Sequence, residues 1–191
     1  MTQSESTERV VIYIDGGNFF RRLKDPQINV PEGKFFDYSK FANYLANGRK
    51  IMSKRYYVGI VRNLDSTVKS TDLVKHQQKF LTAIENEGFT VKRGRILYDL
   101  TIREKGVDVK IVVDLLVGLF DNLYDTAIIV SSDTDLVPAI KYLKYKKKKI
   151  EYIGFSHKPS LGMQRYADLS VLLQKKDIDA CLSEQIYQTH T

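Results

Sequence analysis

Short apolar, β-branched runs alternate along the chain with longer segments in which apolar residues recur at helical spacing. The short runs are typical of buried parallel strands, and the longer segments are typical of amphipathic helices. We predict strands over residues 9–14, 54–61, 89–97, 126–130, 149–154 and 169–173. We predict a helix that begins at residues 19–23, and further helices over residues 37–47, 70–87, 107–119, 136–145 and 177–188. Residues 25–33 contain two prolines and are predicted to form a loop.

The segment 70–87 carries the clearest helical signal. Its inward positions share one face, and Gly88 follows at the expected C-terminal stop. That face is predicted to carry Leu73, Gln77, Phe80, Leu81 and Ile84. Strands that alternate with helices predict an α/β domain with a mostly parallel sheet. In such sheets, ligands bind beyond the carboxyl ends of the strands, where the strand order switches direction.

Length and composition exclude several classes of protein. A length of 191 residues fits a single domain. The single cysteine, Cys181, excludes a disulfide framework and a cysteine-built zinc site, and His76, His157 and His190 lack a paired metal-binding spacing. The first nine residues contain no apolar segment of a secretory signal, and no run approaches the ~18 apolar residues of a membrane span. We therefore expect a soluble cytoplasmic protein.

The charge balance favours a polyanionic partner. The chain has 30 lysines and arginines against 23 acidic residues, a net charge of +7. Basic residues cluster at 49–50, 54–55, 92–95 and 146–149. The cluster at 146–149 falls between a helix and a strand, and we interpret it as a solvated turn.

Acidic residues follow the two most apolar strands. The strand at 9–14 leads into Asp15 and Asn18, and the strand at 126–130 leads into Asp133 and Asp135. Asp108 opens the helix before the second of these strands, and Asp114 lies further along that helix. If the two strands are neighbours, the carboxylates converge at one edge of the sheet. Crowded carboxylates repel one another, and a hard divalent cation with oxygen ligands such as Mg²⁺ compensates for that repulsion.

Each aspartate also has a structural interpretation. An aspartate after a strand is often a helix N-cap or an Asx-turn residue. Asp108 would complement the N-terminal end of its helix dipole. Asp114 would be an exposed helical residue or the partner of a lysine. The joint pattern favours a metal site over four independent caps.

Three segments of the chain resemble the signature segments of NYN domains, which belong to the PIN-like nuclease superfamily. They are IDGGN at 14–18, KGVDVKIVVDLL at 105–116 and VSSDTDLVPAIKYL at 130–143. Within the NYN family, these three segments are most similar to those of the LabA-like bacterial branch. The resemblance implies a PIN-like, Rossmannoid parallel sheet with helices on both faces, an acidic pocket for Mg²⁺ or Mn²⁺, and cleavage of RNA or sometimes DNA. It implies a domain over residues 9–175, a flexible N-terminus at 1–8 and a C-terminal helix or tail at 176–191.

The resemblance also assigns site residues. It implies catalytic roles for Asp15, Asn18, Asp108, Asp133 and Asp135, and the four aspartates would be the metal ligands. Ser131, Ser132 and Asp114 would orient those ligands without binding the metal themselves. The familiar third segment has glycine where this chain has Ser132, a change that affects the loop if that position needs a positive φ.

The hypothesis that follows is metal-assisted hydrolysis of phosphodiester bonds. The expected partner is nucleic acid, with RNA favoured over DNA. The expected assembly is a homo-oligomer. Side chains expected to contact substrate phosphates are Arg21, Arg22, Arg62 and Lys105. The chain has no G-x-S-x-G motif and no Walker A motif, and Gly16-Gly17 is too short for a dinucleotide fingerprint.

Two alternatives remain open at the level of sequence. The first is a phosphatase of the haloacid-dehalogenase type. That chemistry requires a second aspartate two residues after the nucleophile, where this chain has Gly17. The second is a non-catalytic RNA-binding or adaptor module that retains a vestigial pocket.

Overall fold

The computed structural model describes residues 7–32, 34–61, 68–98 and 102–184. In this part of the chain, seven strands form one sheet and two short strands form another. The strands are β1 (Arg9–Asp15), β2 (Phe35–Phe36), β3 (Lys50–Ile60), β4 (Thr90–Tyr98), β5 (Ile102–Lys105), β6 (Thr126–Val130), β7 (Lys149–Phe155), β8 (Leu169–Leu173) and β9 (Leu182–Ser183). The helices are α1 (Gly16–Leu23), α2 (Tyr38–Ala46), α3 (Val68–Asn86), α4 (Val107–Phe120), α5 (Val137–Tyr145), α6 (Leu161–Tyr166) and α7 (Lys175–Asp179).

The main sheet has the order β5-β4-β3-β1-β6-β7-β8. Its neighbouring strands run parallel, except that β5 pairs antiparallel with β4. From β1 the chain moves outward to β3 and β4, and it then returns to the other side of β1 at β6. The switch in strand order therefore lies between β1 and β6, where Ile14 is in register with Val130. The next residues along the chain are Asp15, the last residue of β1, and Ser131, which follows β6.

Helices cover both faces of the sheet because the buried strands are apolar on both sides. Along β1, Val10, Ile12 and Ile14 face a core that includes Phe19 of α1, Phe41 of α2 and Ile84 of α3. Val11 and Tyr13 face a second core with Ile111 and Leu115 of α4 and Ile140 of α5. The prediction of an α/β domain with a mostly parallel sheet and helices on both faces is confirmed.

The predicted terminal helix at 177–188 is helical only as far as Asp179 and is wrong for residues 180–184. Helix α7 begins earlier, because the Gln174 backbone N–H donates to the Asp177 carboxylate at 2.8 Å and closes a capping box. After it, the carbonyl of buried Cys181 accepts the Asp37 N–H at 2.8 Å, and β9 pairs with β2. Backbone pairing with β2 therefore replaces helical hydrogen bonds at Leu182–Ser183. The rest of that predicted helix, residues 185–188, lies outside the described residues.

The inward face of α3 also differs in part from the prediction. Leu81 and Ile84 are buried, but Leu73 is 52% exposed. Leu73 lies at the rim of a cavity beside the end of β3 instead of in the core. No helix in the described ranges is long and apolar enough to cross a membrane.

Candidate active site

Asp15 occupies the carboxyl end of β1 and is buried, with 5% of its surface exposed. One of its carboxylate oxygens accepts the Asn18 backbone N–H at 3.0 Å and so caps α1. The other accepts the Ser131 hydroxyl at 2.9 Å, across the gap between β1 and β6. The Asp15 carboxylate is thus fixed by both sides of the switch point.

Hydrogen bonds link the loop after β1 to the loop after β6. Ser131 Oγ, which donates to Asp15, also accepts the Asp133 backbone N–H at 3.1 Å. The Asn18 side-chain oxygen accepts the Ser132 N–H at 3.3 Å. Asp133 accepts the Asp135 N–H at 2.9 Å and opens a 3₁₀ turn over Thr134–Leu136. Strand order and these contacts together bring Asp15, Asn18, Ser131, Ser132, Asp133 and Asp135 to one edge of the sheet.

Gly16 is required where the chain turns from β1 into α1. A Cβ atom at Gly16 would stand 2.4 Å from the Tyr56 ring, far inside van der Waals contact. Tyr56 is buried on β3, the strand next to β1. Because glycine lacks this atom, α1 begins directly against β3.

Asp108 reaches the same region from α4. Gly106, at φ +78°, forms the N-cap of α4, and Asp108 lies in the first helical turn. Burial raises the pKa of the Asp108 carboxyl. The nearby negative charges of Asp133, Asp15 and Asp135 raise it further. The four carboxylates therefore share one electrostatic environment, which is expected when like charges are gathered at one site.

Asp114 has a different environment. Its carboxylate accepts the Tyr57 hydroxyl at 2.8 Å and lies 3.4 Å from the Arg55 guanidinium and 3.3 Å from the Lys92 ammonium. Burial of Tyr57, and then its hydrogen bond to Asp114, raise the pKa of the Tyr57 hydroxyl. These contacts fasten α4 to β3 and β4. The geometry matches the interpretation of Asp114 as a partner of basic residues.

The NYN domain family matches residues 9–173, which is most of the chain. This chain belongs to the NYN domain family. NYN domains form part of a nuclease-like superfamily, and NYN nucleases commonly use divalent metals. The match spans the whole main sheet and all the aspartates of the site.

One curated protein and one solved structure are similar to this NYN domain. An uncharacterized protein of Methanocaldococcus jannaschii is 27% identical over 160 residues, which are 84% of this chain and 53% of that protein. The chain thus spans about half the length of that curated relative. A crystal structure of a protein of unknown function from Vibrio parahaemolyticus superposes with a TM-score of 0.69 and 21% sequence identity, covering 95% of this chain and 100% of that one. This likeness shows the fold.

The donor chemistry of the NYN site fits a hard cation, because Asp15, Asp108, Asp133 and Asp135 offer oxygen ligands. Among the described residues, no group of three or more His, Cys, Asp or Glu side chains is already arranged to hold a metal ion. Mg²⁺ often uses one or two carboxylates, several waters and substrate phosphates instead of a complete protein cage. The helix-capping roles of Asp15 and Asp133 are compatible with this binding, since a carboxylate has about four lone-pair sites.

The basic residues predicted to contact phosphate differ in how exposed their side chains are. Arg21 is exposed and Arg22 half-buried in the last turn of α1, while Lys105 is exposed at the end of β5, just before the Gly106 cap of α4. Arg62 lies outside the described residues. Several other basic residues have acidic partners in structural ion pairs, namely Arg49 with Glu151, Arg93 with Glu85, and Arg55 and Lys92 with Asp114.

Two tyrosines of the site were missed by sequence reasoning. Tyr152 of β7 lies with its hydroxyl 3.4 Å from that of Ser132, and it accepts the Ser160 N–H at 3.0 Å. Tyr56 packs on Gly16. Nothing in the spacing of the chain distinguishes them from other core tyrosines. Ser132 itself does not have a positive φ, so serine at this position imposes no backbone strain.

Proposed function

We propose that this NYN domain is a metal-dependent nuclease that hydrolyses phosphodiester bonds, with RNA as the preferred substrate ahead of DNA. We place it in the LabA-like branch on the strength of its three sequence segments. The observation that carries the proposal is the hydrogen-bonded pair of loops at the β1/β6 switch point, which holds Asp15, Asp133 and Asp135 near enough to Asp108 for their charges to raise its pKa. Ligands of open α/β sheets bind at this place.

We carry over the side-chain roles from the three sequence segments, and the hydrogen bonds of the site are compatible with them. Asp15, Asp108 and Asp133 would hold Mg²⁺ or Mn²⁺, with Asp135 as a further ligand or as a partner of a bound water. When bound, such a cation lowers the pKa of a water ligand and offsets charge on the phosphate oxygens. Ser131 orients Asp15 through its donated hydrogen bond, and Asn18 holds the Ser132 backbone in place.

Binding of the phosphate chain is assigned to basic side chains around this acidic centre. Arg21, Arg22 and Lys105 belong to elements that begin or end beside Asp15 or Asp108. We retain Arg62 in this set on its position in the sequence alone. A net charge of +7 supports an anionic partner of this kind.

Incubation of the purified protein with labelled single- and double-stranded RNA and DNA, in Mg²⁺, Mn²⁺ or EDTA, tests the proposal. We expect metal-dependent oligonucleotide products from the wild type. Asp133→Asn should lose more than about 100-fold in rate, because even groups that merely support metal ligands contribute about 10- to 100-fold. Asp121→Asn is a control, since Asp121 lies at the opposite end of α4 from Asp108.

The assay also separates the alternatives. Free phosphate without oligonucleotide products would identify a phosphatase. Binding without either product would identify a non-catalytic adaptor. Equal cleavage by wild type and Asp133→Asn would reveal a contaminating nuclease and overturn the assignment.

We further propose that the chain forms a homo-oligomer through α4. Apolar side chains at helical spacing line the outer side of this helix, at exposures of 43–69%. They are Val109, Val113, Val117 and Phe120. An apolar stripe of this kind is self-complementary across a two-fold axis and is unusual on a monomer surface.

A further inference from the structure

A cavity of about 450 Å³ adjoins the carboxylate site. Gly16 and Gly17, which directly follow Asp15, form part of its wall. The cavity lies between α1, the end of β3 and the first half of α3. Its volume falls within the usual range of small-molecule sites. A ligand group in this cavity would therefore lie against the two glycines that follow Asp15 in the chain.

The lining of this cavity is largely aromatic and aliphatic. Phe20 and Leu73 form its rim and are 47% and 52% exposed, and Phe80 and buried Tyr56 lie deeper. The wall is held rigid by Gln77, whose side-chain oxygen accepts the Val61 N–H and whose amide donates to the Gly59 carbonyl, each at 2.8 Å. These contacts fix α3 against the end of β3, and so they fix the distance between these two walls of the cavity.

Phe20 has a distinctive position at the rim. Phe20 also lines a second cavity, of about 230 Å³, on the side of β2. The Lys24 ammonium lies 4.4 Å from the centre of the Phe20 ring. An exposed aromatic ring with a cation over one face, on the helix that follows Asp15, leaves its other face for stacking and places a phosphate contact next to it.

We propose that this cavity binds a nucleobase of a single-stranded nucleic acid, next to the nucleotide whose phosphate lies at the aspartates. The inference rests on the proposed nuclease function and adds to it a base-binding cavity formed by α1, α3 and the end of β3. A base presents flat apolar faces that match Phe20 and Leu73, and aromatic stacking of this kind accepts every base. The phosphate beside that base meets Lys24 at the rim, and His76 also lines the opening. Bases within a duplex are stacked and paired, and only unpaired bases can enter such a cavity.

The test separates base binding from phosphate binding. Fluorescence anisotropy in EDTA measures the affinity of the full chain for a labelled single-stranded RNA, for an abasic strand of equal length and for the corresponding duplex. We expect the base-bearing single strand to bind about 5- to 140-fold more tightly than the abasic strand, the range typical of stacking one base on an aromatic side chain. The duplex should resemble the abasic strand. Equal affinity for base-bearing and abasic strands would overturn the proposal.

Variants locate the effect. Phe20→Ala should remove most of the preference for bases, and Phe20→Tyr should retain it, because the ring is preserved. Leu73→Ala should weaken the preference in part and is expected to fold, since this side chain is half exposed. Leu169→Ala is the matched control, because Leu169 is 50% exposed at the start of β8, at the other end of the sheet. An unchanged preference in both Phe20→Ala and Leu73→Ala, in folded protein, would contradict the proposed site.

The outcome is distinguishable from that of the nuclease proposal. Asp133→Asn should keep the preference for bases in EDTA while losing cleavage in Mn²⁺. Cleavage without a preference for bases would overturn the base cavity alone. A preference for bases without metal-dependent cleavage would support the cavity and overturn the nuclease assignment.

Discussion

Asp15 and Asp133 each cap a helical turn, and the same side chains are proposed to hold a cation. The two roles differ in what replacement by asparagine removes. Asparagine keeps one acceptor oxygen, so Asp15→Asn can no longer accept both the Asn18 N–H and the Ser131 hydroxyl. Asp108 makes the cleaner test of charge crowding, because its pKa is raised by burial and by its acidic neighbours.

Asp108→Asn is predicted to raise the melting temperature of the metal-free protein at pH 7. A folded-state pKa above that of the unfolded chain gives a contribution to stability that is complete below about pH 3.9 and is lost as the pH rises through the folded pKa. Asparagine never acquires the charge, so the advantage of the variant should shrink as the pH falls towards 4. Thermal melts in EDTA between pH 4 and 8 measure this difference.

Added Mn²⁺ should reverse the order of the two melting temperatures, so that wild type melts above Asp108→Asn. Wild type should gain about 2.7 kcal/mol when the cation exceeds its dissociation constant a hundredfold. Asp108→Asn should gain much less. If the variant is less stable than wild type in EDTA at pH 7, and wild type ignores Mn²⁺, the aspartates are structural caps and the functional proposal loses its main support.

Asp114→Asn is predicted to destabilise the protein and to leave the response to metal intact. The change removes the charge that pairs with Arg55 and Lys92, and it weakens the hydrogen bond from Tyr57. Hydrogen bonds to a charged group contribute about 1.5–3 kcal/mol. Chemical denaturation should show a loss of that order, and Mn²⁺ should still raise the melting temperature. A lost response to Mn²⁺ in folded Asp114→Asn would instead put Asp114 in the metal site.

Among the secondary-structure elements, the central ones could be predicted from the sequence and the peripheral ones could not. β1 and β6 are continuous apolar runs buried on both faces, so their composition indicates strands directly. β5 and β9 are short, and their residues do not differ from those of loops. They are strands because partners in β4 and β2 satisfy their backbone hydrogen bonds, and such pairing is invisible in local sequence.

The site shows the same limit. The spacing along the chain predicted that carboxylates follow β1 and β6, and topology then brings them together. The spacing left the role of Asp114 open, because that role depends on Arg55 and Lys92, which lie on two other strands. It also gave no sign of the cavity rimmed by Leu73, since a helical pattern specifies a face and not the depth of cover over it.

Gly16→Ala is predicted to destabilise the junction of β1 and α1. Alanine normally favours a helix over glycine by about 1 kcal/mol, so a loss here would come from contact with Tyr56. Overpacking of this kind costs about 1–3 kcal/mol. Because Tyr56→Leu removes the ring that the new methyl group would meet, the double variant should be more stable than the sum of the two single changes predicts. Strict additivity in denaturation would contradict direct contact.

Within the described residues, one stripe of exposed apolar side chains runs along α4. Val113→Glu would put a charge in the centre of the stripe formed by Val109, Val113, Val117 and Phe120. If the stripe is the proposed homo-oligomer interface, light scattering should show a larger assembly for wild type and a monomer for the variant. Val113 is 49% exposed, so the fold should be retained. A monomeric wild type would exclude this assembly.

The net charge of +7 predicts binding to nucleic acid that weakens steeply with salt. Each phosphate contact on a single strand contributes about −0.7 to the slope of log affinity against log salt. Arg21→Ala should therefore reduce that slope by about 0.7. Phe20→Ala should lower affinity with little change of slope, because stacking releases no counterions.

Lys146→Ala supplies the control for this measurement. Lys146 follows α5, in the turn that leads into the start of β7, at the end of the sheet away from the aspartates. Its removal should leave both slope and affinity nearly unchanged if the cluster at 146–149 is a solvated turn. A larger change of slope for Lys146→Ala than for Arg21→Ala would move the phosphate path to that end of the sheet. A strand bound there would not reach the carboxylates at the β1/β6 switch point.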